Sequence, residues 1–353
     1  MAREITKAEQ DTLLNALRAG LVPNKGLQHI VVDREAEIEA AKEAIESVDA
    51  GAGTFKIVVG PYGSGKTFFL SLVRRLAHQK KCVVLSADFT PERRLYDHSG
   101  DMARNLYREL IRNCTTREVP ATSALESICQ LWINSKIEGL GRDGISYDDL
   151  RAVISEELAD LARKNVLGFP LRQVLIRYVE AYEKGDERLR RAAIQWLSGG
   201  FATRTDAYRE LGVREIIGSD NYYDALKALA HLFNLSGYRG TVIILDELVA
   251  LTHRLTQAVT RSKNYEVLLN FINDALQGNV QRMGFFFGAT PDAVEDPDKG
   301  LFSYEALRSR LSNSRLLSTE TSRLLGPLLY LQPLTRDHLV TLLVLIHRVY
   351  TYK

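Results

Sequence analysis

The stretch Phe55–Leu70 reads FKIVVGPYGSGKTFFL and contains a complete phosphate-binding loop. The pattern G-x-x-x-x-G-K-[ST] is present without a gap, and its glycines, lysine and threonine are Gly60, Gly63, Gly65, Lys66 and Thr67. An apolar run typical of a strand precedes the loop and a run with helical period follows it, which is the context that this motif needs. A glycine-rich turn before a buried helix is the alternative, but a strand, loop and helix in register favour a nucleoside triphosphate site.

Each part of this loop has a role in holding phosphates. Glycines let backbone N–H groups turn inward, and the start of the following helix adds positive charge. We expect Lys66 to reach the β- and γ-phosphates and the Thr67 hydroxyl to help hold Mg²⁺. The predicted ligands are therefore ATP and Mg²⁺, and further predicted nucleotide contacts are Pro61, Tyr62, Ser64 and Phe68.

The composition is that of a soluble globular protein and excludes several classes. The chain has 353 residues, 45% hydrophobic and 25% charged, with a formal net charge of +2, so bulk charge gives no sign of nucleic-acid binding, although a local basic face stays open. Three cysteines without C-x-x-C spacing argue against a disulfide framework or a zinc site and suit a reducing compartment. No signal-peptide core or membrane-spanning stretch is evident. We expect a cytoplasmic protein with no membrane partner.

The order of apolar runs predicts an α/β fold. Five strand-type runs are separated by helical ones, which indicates a parallel sheet covered on both faces; the runs are residues 55–59, 82–85, 241–245, 283–287 and 328–331. The second strand is expected to end near Asp88, because Thr90 and Pro91 break the pattern. Helices are predicted over Lys7–Arg18, from near Arg34, over Tyr222–Phe233 and over Asp337–Tyr350.

The interval between the second and third strands is too long for a simple connection. It shows almost only helical periodicity, whereas a crossover needs only about 10–12 residues. We therefore predict a helical insertion within a divided ATPase core. The predicted units are an N-terminal helical segment (1–50), the first part of the core (51–93), the insertion (94–218), the second part of the core (219–334) and the start of a C-terminal lid that is cut short (335–353).

The third strand run ends in two adjacent carboxylates, Asp246 and Glu247. Asp246 is placed to hold Mg²⁺ directly or through water, and Glu247 to polarise the attacking water as a general base. Strands often end in acids, so this signal depends on the phosphate loop. The next strand runs into Thr290, which is a candidate for positioning water or sensing the γ-phosphate; a threonine that starts an ordinary turn is the alternative.

Downstream, the segment LRSRLSNSR supplies Arg308, Arg310 and Arg315. An arginine that contacts a γ-phosphate stabilises transition-state charge and can come from a neighbouring subunit. Arg310 is the first candidate and Arg308 the second, with a surface or DNA-facing role as the alternative for each. A further basic cluster, Glu187–Arg191 followed by Arg204, Arg209 and Arg214, is either a solvated helix face or a nucleic-acid contact.

The order of these motifs resembles the AAA+ division of P-loop ATPases, nearest the origin-recognition and helicase-loading branch. The resemblance implies a five-stranded sheet in the order 5-1-4-3-2. It also implies that the stretch from Val31 to Arg34 packs near the adenine, with Val31 and Arg34 as contacts.

More narrowly, the chain resembles the ATP-binding proteins of bacterial BREX phage-defence systems, of the BrxD and BrxC type. The resembling stretches cover nearly the whole length: ALRAGLVPNKGLQHI, VGPYGSGKTFFL, AAIQWLSGG, NYYDALKALAHL, GYRGTVIILDELVAL, NYEVLLNFINDALQGN and GATPDAVEDPDKGLFSYEALRSRL. The resemblance implies a role in prokaryotic defence with other proteins of the system. The short C-terminus departs from the AAA+ pattern, and no winged-helix DNA-binding domain is recognisable.

Three functions follow from these observations. The first is an ATP-hydrolysing switch that works with other defence proteins and assembles as a homo-oligomer. The second is a nucleotide-gated scaffold with negligible hydrolysis. The third is a DNA-loading or remodelling factor whose helical insertion contacts DNA through Arg188, Arg190 and Arg191.

Overall fold

A parallel five-stranded sheet forms the centre of the molecule. The computed structural model describes residues 5–23, 25–98, 100–121, 123–140, 147–312, 324 and 326–352. The strands are β1 (Thr54–Val59), β2 (Val83–Asp88), β3 (Thr241–Asp246), β4 (Met283–Ala289) and β5 (Leu328–Tyr330). They pair in the order β2-β3-β4-β1-β5, which is the predicted order read from the other edge. The predicted α/β fold is confirmed.

Helices cover both faces of this sheet and follow the predicted periodicity. Their bounds in chain order are α1 Lys7–Arg18, α2 Glu35–Asp49, α3 Lys66–Gln79, α4 Met102–Arg112, α5 Leu125–Leu140, α6 Tyr147–Glu157, α7 Ala159–Lys164, α8 Gly168–Lys184, α9 Glu187–Leu197, α10 Arg204–Leu211, α11 Tyr222–Leu235, α12 Val249–Thr252, α13 Ala258–Leu276, α14 Pro291–Glu295, α15 Glu305–Ser312 and α16 Arg336–Thr351.

The strands are apolar on both faces because each face meets a different set of helices. In β3, Ile243 and Leu245 belong to one core cluster, and Val242 and Ile244 belong to another on the opposite face. The smaller cluster holds the apolar stripes of α2 and α3. The larger one holds α4, α11 and α13. The phosphate-loop helix α3 is therefore packed against the sheet along its length.

The strand β2 extends past the apolar run that predicted it. That run covers residues 82–85, its strand was expected to end near Asp88, and β2 occupies Val83–Asp88, since its backbone pairing with β3 continues to the pair Asp88–Asp246. Ser86 and Asp88 interrupt the apolar pattern without interrupting the ladder. The extension places a second carboxylate, that of Asp88, at the same edge of the sheet as Asp246.

The segment between β2 and β3 is helical, as predicted, and is joined to the sheet. Trp132, Tyr178 and Trp196 on its helices belong to the same continuous core cluster as the strands β1, β2, β3 and β4. The backbone of Thr115 also bridges to Val84 at the β2 edge. The helices thus extend the core of the sheet instead of enclosing a separate one; the domain bounds themselves stay a prediction.

The first and last helices pack together beside the phosphate loop. Gln10 on α1 donates to the Val349 carbonyl of α16 at 2.6 Å. Leu13 and Val349 are buried between them, and Phe68 of α3 packs against this small cluster. Within the described residues, no helix combines the length and the apolar character that crossing a bilayer demands.

Candidate nucleotide site

The phosphate loop connects the end of β1 to the start of α3, and its glycines are required by geometry. The Gly60 amide donates to the Ala289 carbonyl of β4 at 3.0 Å. A Cβ atom at Gly60 would lie 2.4 Å from the Ser64 hydroxyl oxygen, so the serine side chain would have to move for any other residue to fit. Gly65 has φ of 89°, a left-handed conformation that favours glycine. The backbone is therefore already folded into the loop shape that the motif predicted.

Lys66 is the first residue of α3 and its side chain lies over the loop. Its Nζ donates to the Pro61 carbonyl at 3.0 Å and lies 5.3 Å from the centre of the Tyr62 ring. Burial lowers the pKa of Lys66, and the charges of Asp246 and Glu247 oppose that shift. The lysine charge is thus close enough to both acids to act on the same ligand.

Thr67 and Asp246 are in direct contact, although they are far apart in the sequence. The Thr67 hydroxyl donates to Asp246 Oδ2 at 2.8 Å, and Asp246 Oδ1 accepts from the Glu247 amide at 2.8 Å. Cis ligands of an octahedral Mg²⁺ lie about 3 Å apart, given metal–oxygen bonds of about 2.1 Å. The two side chains therefore fit one edge of such a site.

The chemistry of the donor set fits Mg²⁺ in a second respect. Among the described residues, no group of three or more His, Cys, Asp and Glu side chains forms a metal cage. Mg²⁺ in nucleotide sites keeps several waters and is held by one or two carboxylates plus phosphate oxygens. One hydroxyl and one carboxylate beside a phosphate loop match that habit.

A glycine that the sequence did not single out determines where Asp246 lies. A Cβ atom at Gly288, in β4, would come within 2.0 Å of Asp246 Oδ1. The Gly288 carbonyl also accepts from the Leu248 amide at 3.0 Å, which ties the turn after β3 to β4. The available signal was a glycine inside a buried strand, which often marks a close approach.

Glu247 follows Asp246 in a strained backbone conformation. Its φ is 61°, which is unusual for a residue with a side chain and is typical of functional turns. Its Oε2 lies 3.7 Å from the Arg254 guanidinium, and both side chains are partly open to solvent. The carboxylate is thus at the mouth of the site, with a cation beside it.

Thr290 lies directly after β4, which is the strand between β1 and β3. Its side chain is buried and accepts from the Ala293 amide at 3.3 Å, so that it caps α14. A hydroxyl that accepts here still has a hydrogen to donate. The position is compatible with both interpretations of the sequence, and the sensing role stays a prediction.

Arg34 contacts the backbone of the phosphate loop. It is buried and forms an ion pair with Glu37 at 3.1 Å. One amino group donates to the Ser64 carbonyl at 3.1 Å and to the Gln332 carbonyl at 2.7 Å. Arg34 therefore joins three segments at the loop; the adenine contacts predicted for Val31 and Arg34 stay predictions.

The two candidate arginines on α15 are bound to neighbours in their own chain. Arg310 donates through Nε to Asn273 Oδ1 at 3.1 Å, and Arg308 lies 3.8 Å from Glu305. Both side chains are exposed. Arg315 lies outside the described residues.

In the basic cluster of residues 187–214, five arginines are paired with acids or backbone oxygens, and the sixth, Arg214, lies 5.4 Å from the centre of the Tyr208 ring. Arg188 contacts Glu210 through two nitrogens, at 3.2 and 2.9 Å. Arg190 pairs with Glu187 at 2.6 Å, and Arg191 donates to the Glu187 carbonyl at 3.2 Å. Farther along, Arg204 pairs with Glu215 and Arg209 with Asp206. This pattern is that of a solvated helix face with balanced charge.

The strand order, the phosphate loop ahead of α3 and the acids after β3 together define a protein with a P-loop ATPase fold. Comparison with protein families agrees with this class: the sequence model of the BREX system ATP-binding proteins BrxC/D matches residues 5–353. The chain belongs to this family, as the resembling sequence stretches indicated. None of the curated proteins compared with the chain matches it significantly.

Proposed function

We propose that this protein hydrolyses ATP with Mg²⁺ and uses the reaction to change shape or assembly together with other BREX proteins in the cytoplasm. One observation carries the proposal. The Thr67–Asp246 contact at 2.8 Å lies beside Glu247, and the charges of both acids act on Lys66. A magnesium triphosphate needs these four groups together, and hydrolysis needs the last acid in particular.

Each residue has a distinct role in this proposal. Lys66 binds the β- and γ-phosphates after leaving the Pro61 carbonyl, which is a weaker partner than a phosphate. Thr67 and Asp246 would hold Mg²⁺. The ion would supply positive charge that stabilises the negative charge developing on the phosphate oxygens in the transition state. Glu247 orients water and accepts its proton. The buried contacts of Arg34 keep the loop in its binding shape.

The substitution Glu247→Gln tests the proposal. We expect the variant to bind a fluorescent ATP analogue as the natural protein does, but to release phosphate at least about a hundredfold more slowly, because the general base is lost. Lys66→Ala is expected to lose nucleotide binding itself. Glu266→Gln is a matched control, since Glu266 is a similarly exposed glutamate that pairs with Lys263 on the same helix. Undiminished phosphate release by Glu247→Gln would refute the assignment.

A second candidate is a nucleotide-gated scaffold with negligible hydrolysis. The observation that favours it is the position of Arg254, whose guanidinium lies 3.7 Å from the Glu247 carboxylate. A cation there holds the carboxylate in an ion pair and makes it a weaker base toward the attacking water. Arg254→Ala distinguishes the two candidates when phosphate release is measured. Slow release that rises on this substitution indicates a restrained ATPase, whereas release at the background level in both proteins indicates the scaffold.

The DNA-loading alternative has less support from the insertion than the sequence suggested. Because Arg188, Arg190 and Arg191 already have partners, few counterions would be released from them on binding a duplex. Neutralising all three is expected to leave any salt-dependent binding of duplex DNA nearly unchanged. A loss of that binding would restore the alternative.

A further inference from the structure

A second cavity lies on the outer face of α3, away from the phosphate loop. Its volume is about 460 Å³, and its walls come from α1, α3 and the residues Pro23, Lys25, Leu27, Arg117, Pro120 and Ala121. On α3 it is lined by Arg74, Arg75 and His78. These residues follow Lys66 by eight to twelve positions, which is about 12–18 Å along a helix. The cavity is therefore separate from the triphosphate site.

The charged residues that line this cavity all have the same sign. Its described lining includes four cations and no aspartate or glutamate; the cations are Lys25, Arg74, Arg75 and Arg117. His78 is neutral near pH 7, because burial and the Arg74 charge lower its pKa to about 4. Glu118 acts on His78 from nearby but does not line the cavity. Such a lining favours an anionic ligand.

Arg74 gives the strongest indication that the cavity suits an anion. Its guanidinium donates to the Ser86 hydroxyl at 2.9 Å, while its buried Nε has no partner among the described residues. Burial lowers the pKa of Arg74, and the charge of Asp88 compensates only in part. A largely buried guanidinium with one neutral partner is costly to maintain, and an anion next to it would remove most of that cost.

Part of the wall is apolar, and the cavity is of suitable size for a small organic body. Pro23, Leu27, Pro120 and Ala121 line it. Ligand cavities of a few hundred Å³ with an apolar wall and a few convergent charges are typical of small-molecule sites. We propose that this cavity binds a phosphate ester with an apolar or aromatic body, of the size of a nucleoside monophosphate.

The position of the cavity connects it to the ATPase site. Ser71 and Arg74 also line a neighbouring cavity of about 360 Å³ that reaches Thr67 and Asp246. A ligand at Arg74 would thus touch the same helix that carries Lys66. Two kinds of ligand carry such a phosphate ester: a free nucleotide, and the 5′ end of a nucleic-acid strand.

The experiment uses the full chain with Lys66→Ala, so that the triphosphate site does not contribute. Titration calorimetry with AMP, and separately with a 5′-phosphorylated thymidine tetranucleotide, is expected to show one binding site for at least one probe. Adding Lys25→Ala and Arg117→Ala, which remove two exposed cations of the lining, is expected to weaken that binding at least about tenfold. Arg209→Ala with Lys263→Ala removes two exposed cations elsewhere and is the control.

The outcomes decide both the site and the source of the phosphate. Tighter binding of AMP indicates a free nucleotide, and tighter binding of the tetranucleotide indicates a strand end. Binding of neither probe overturns the proposal. Equal affinity with and without the Lys25 and Arg117 substitutions overturns it as well, because the probe then binds elsewhere. Neither result depends on ATP hydrolysis, so this proposal and the proposed function fail independently.

Discussion

At the scale of single residues, the site depends on contacts that a sequence pattern does not record. The motif identifies Lys66 and Thr67, but the place of Asp246 also depends on the bare backbone of Gly288. The hydrogen bonds of Arg34 reach the loop carbonyl of Ser64, a contact that the sequence did not predict, and its adenine contact stays a prediction. Both are effects of close packing between segments distant in the chain, which local propensity cannot encode.

Gly288→Ala is expected to disturb metal-dependent nucleotide binding. The added methyl group would lie 2.0 Å from Asp246 Oδ1, so the carboxylate must move away from Thr67. We expect ATP affinity in the presence of Mg²⁺ to fall at least about tenfold, with a loss of stability of about 1–3 kcal/mol from overpacking. Titration with and without Mg²⁺ measures the first effect. Gly139→Ala, where a Cβ atom meets nothing within 4 Å, is the control.

Arg34→Ala is expected to lower the free energy of unfolding by about 3–5 kcal/mol. The substitution leaves Glu37 buried without its cation, and removing one partner of a buried pair has a cost of this size. Urea unfolding measures it. The exposed pair Lys42–Glu39 is a matched control with the same spacing, and Lys42→Ala should change stability by less than about 1 kcal/mol. Similar losses in the two variants would contradict the assigned role of Arg34.

At the scale of secondary-structure elements, hydrophobic periodicity predicted most helices and strands. The helix Lys7–Arg18 was predicted with its observed bounds, and in the structure Thr6 caps it. The strand β2 continues beyond its apolar run to Asp88, near which its end was predicted, since backbone pairing with β3 includes the polar residues Ser86 and Asp88. Periodicity also could not show that the long helical segment shares the core of the sheet. That result depends on tertiary packing of Trp132 and its neighbours.

The helix α3 is expected to make stability depend on acid pH through His78. Burial lowers the pKa of His78 to about 4, against 6.5 in an exposed histidine. As pH falls from about 6.5 to about 4, the unfolded chain binds a proton that the folded chain does not bind, so stability is lost in this window. The loss is up to about 3 kcal/mol, because one pKa unit corresponds to about 1.4 kcal/mol.

Unfolding measured at pH 7 and at pH 4.5 in the natural protein and in His78→Gln tests this expectation. Because all other groups titrate alike, the natural protein should lose more stability than the variant does. His347→Gln, which removes an exposed histidine of α16, should behave as the natural protein does. Parallel pH profiles for the natural protein and His78→Gln would contradict the role of His78.

At the scale of the whole molecule, the topology assembles the site. The strand order places β3 and β4 next to each other and β1 beside β4, so the loop after β1 meets the acids after β3 across the end of β4. The sequence could predict this meeting because parallel strands end at the same edge of the sheet. The predicted contribution of Arg310 to another copy of the chain stays a prediction, since the arginines on α15 lie on the surface of a single copy.

Mixing two inactive variants tests whether Arg310 acts between copies. Arg310 is exposed, and its side chain donates to Asn273 at the surface. That hydrogen bond can be exchanged for a contact with a nucleotide bound to another copy. If ATP assembles the chain into an oligomer, Arg310→Ala should lower turnover by about 10³-fold or more, because the transition-state charge loses its arginine. Lys66→Ala should be inactive because its own site does not bind nucleotide. In a mixed oligomer, the intact site of Arg310→Ala would receive Arg310 from the Lys66→Ala copy, so activity should return.

The control for that experiment is the double variant Lys66→Ala with Arg310→Ala, which has no arginine to supply and should restore nothing. Arg308→Ala in place of Arg310→Ala tests the second candidate on the same helix, whose weak 3.8 Å contact with Glu305 also leaves it available. Light scattering with and without ATP must accompany the mixing, since recovery requires association. A protein that stays monomeric with ATP, or a mixture no more active than its components, would assign Arg310 to the surface of a single copy.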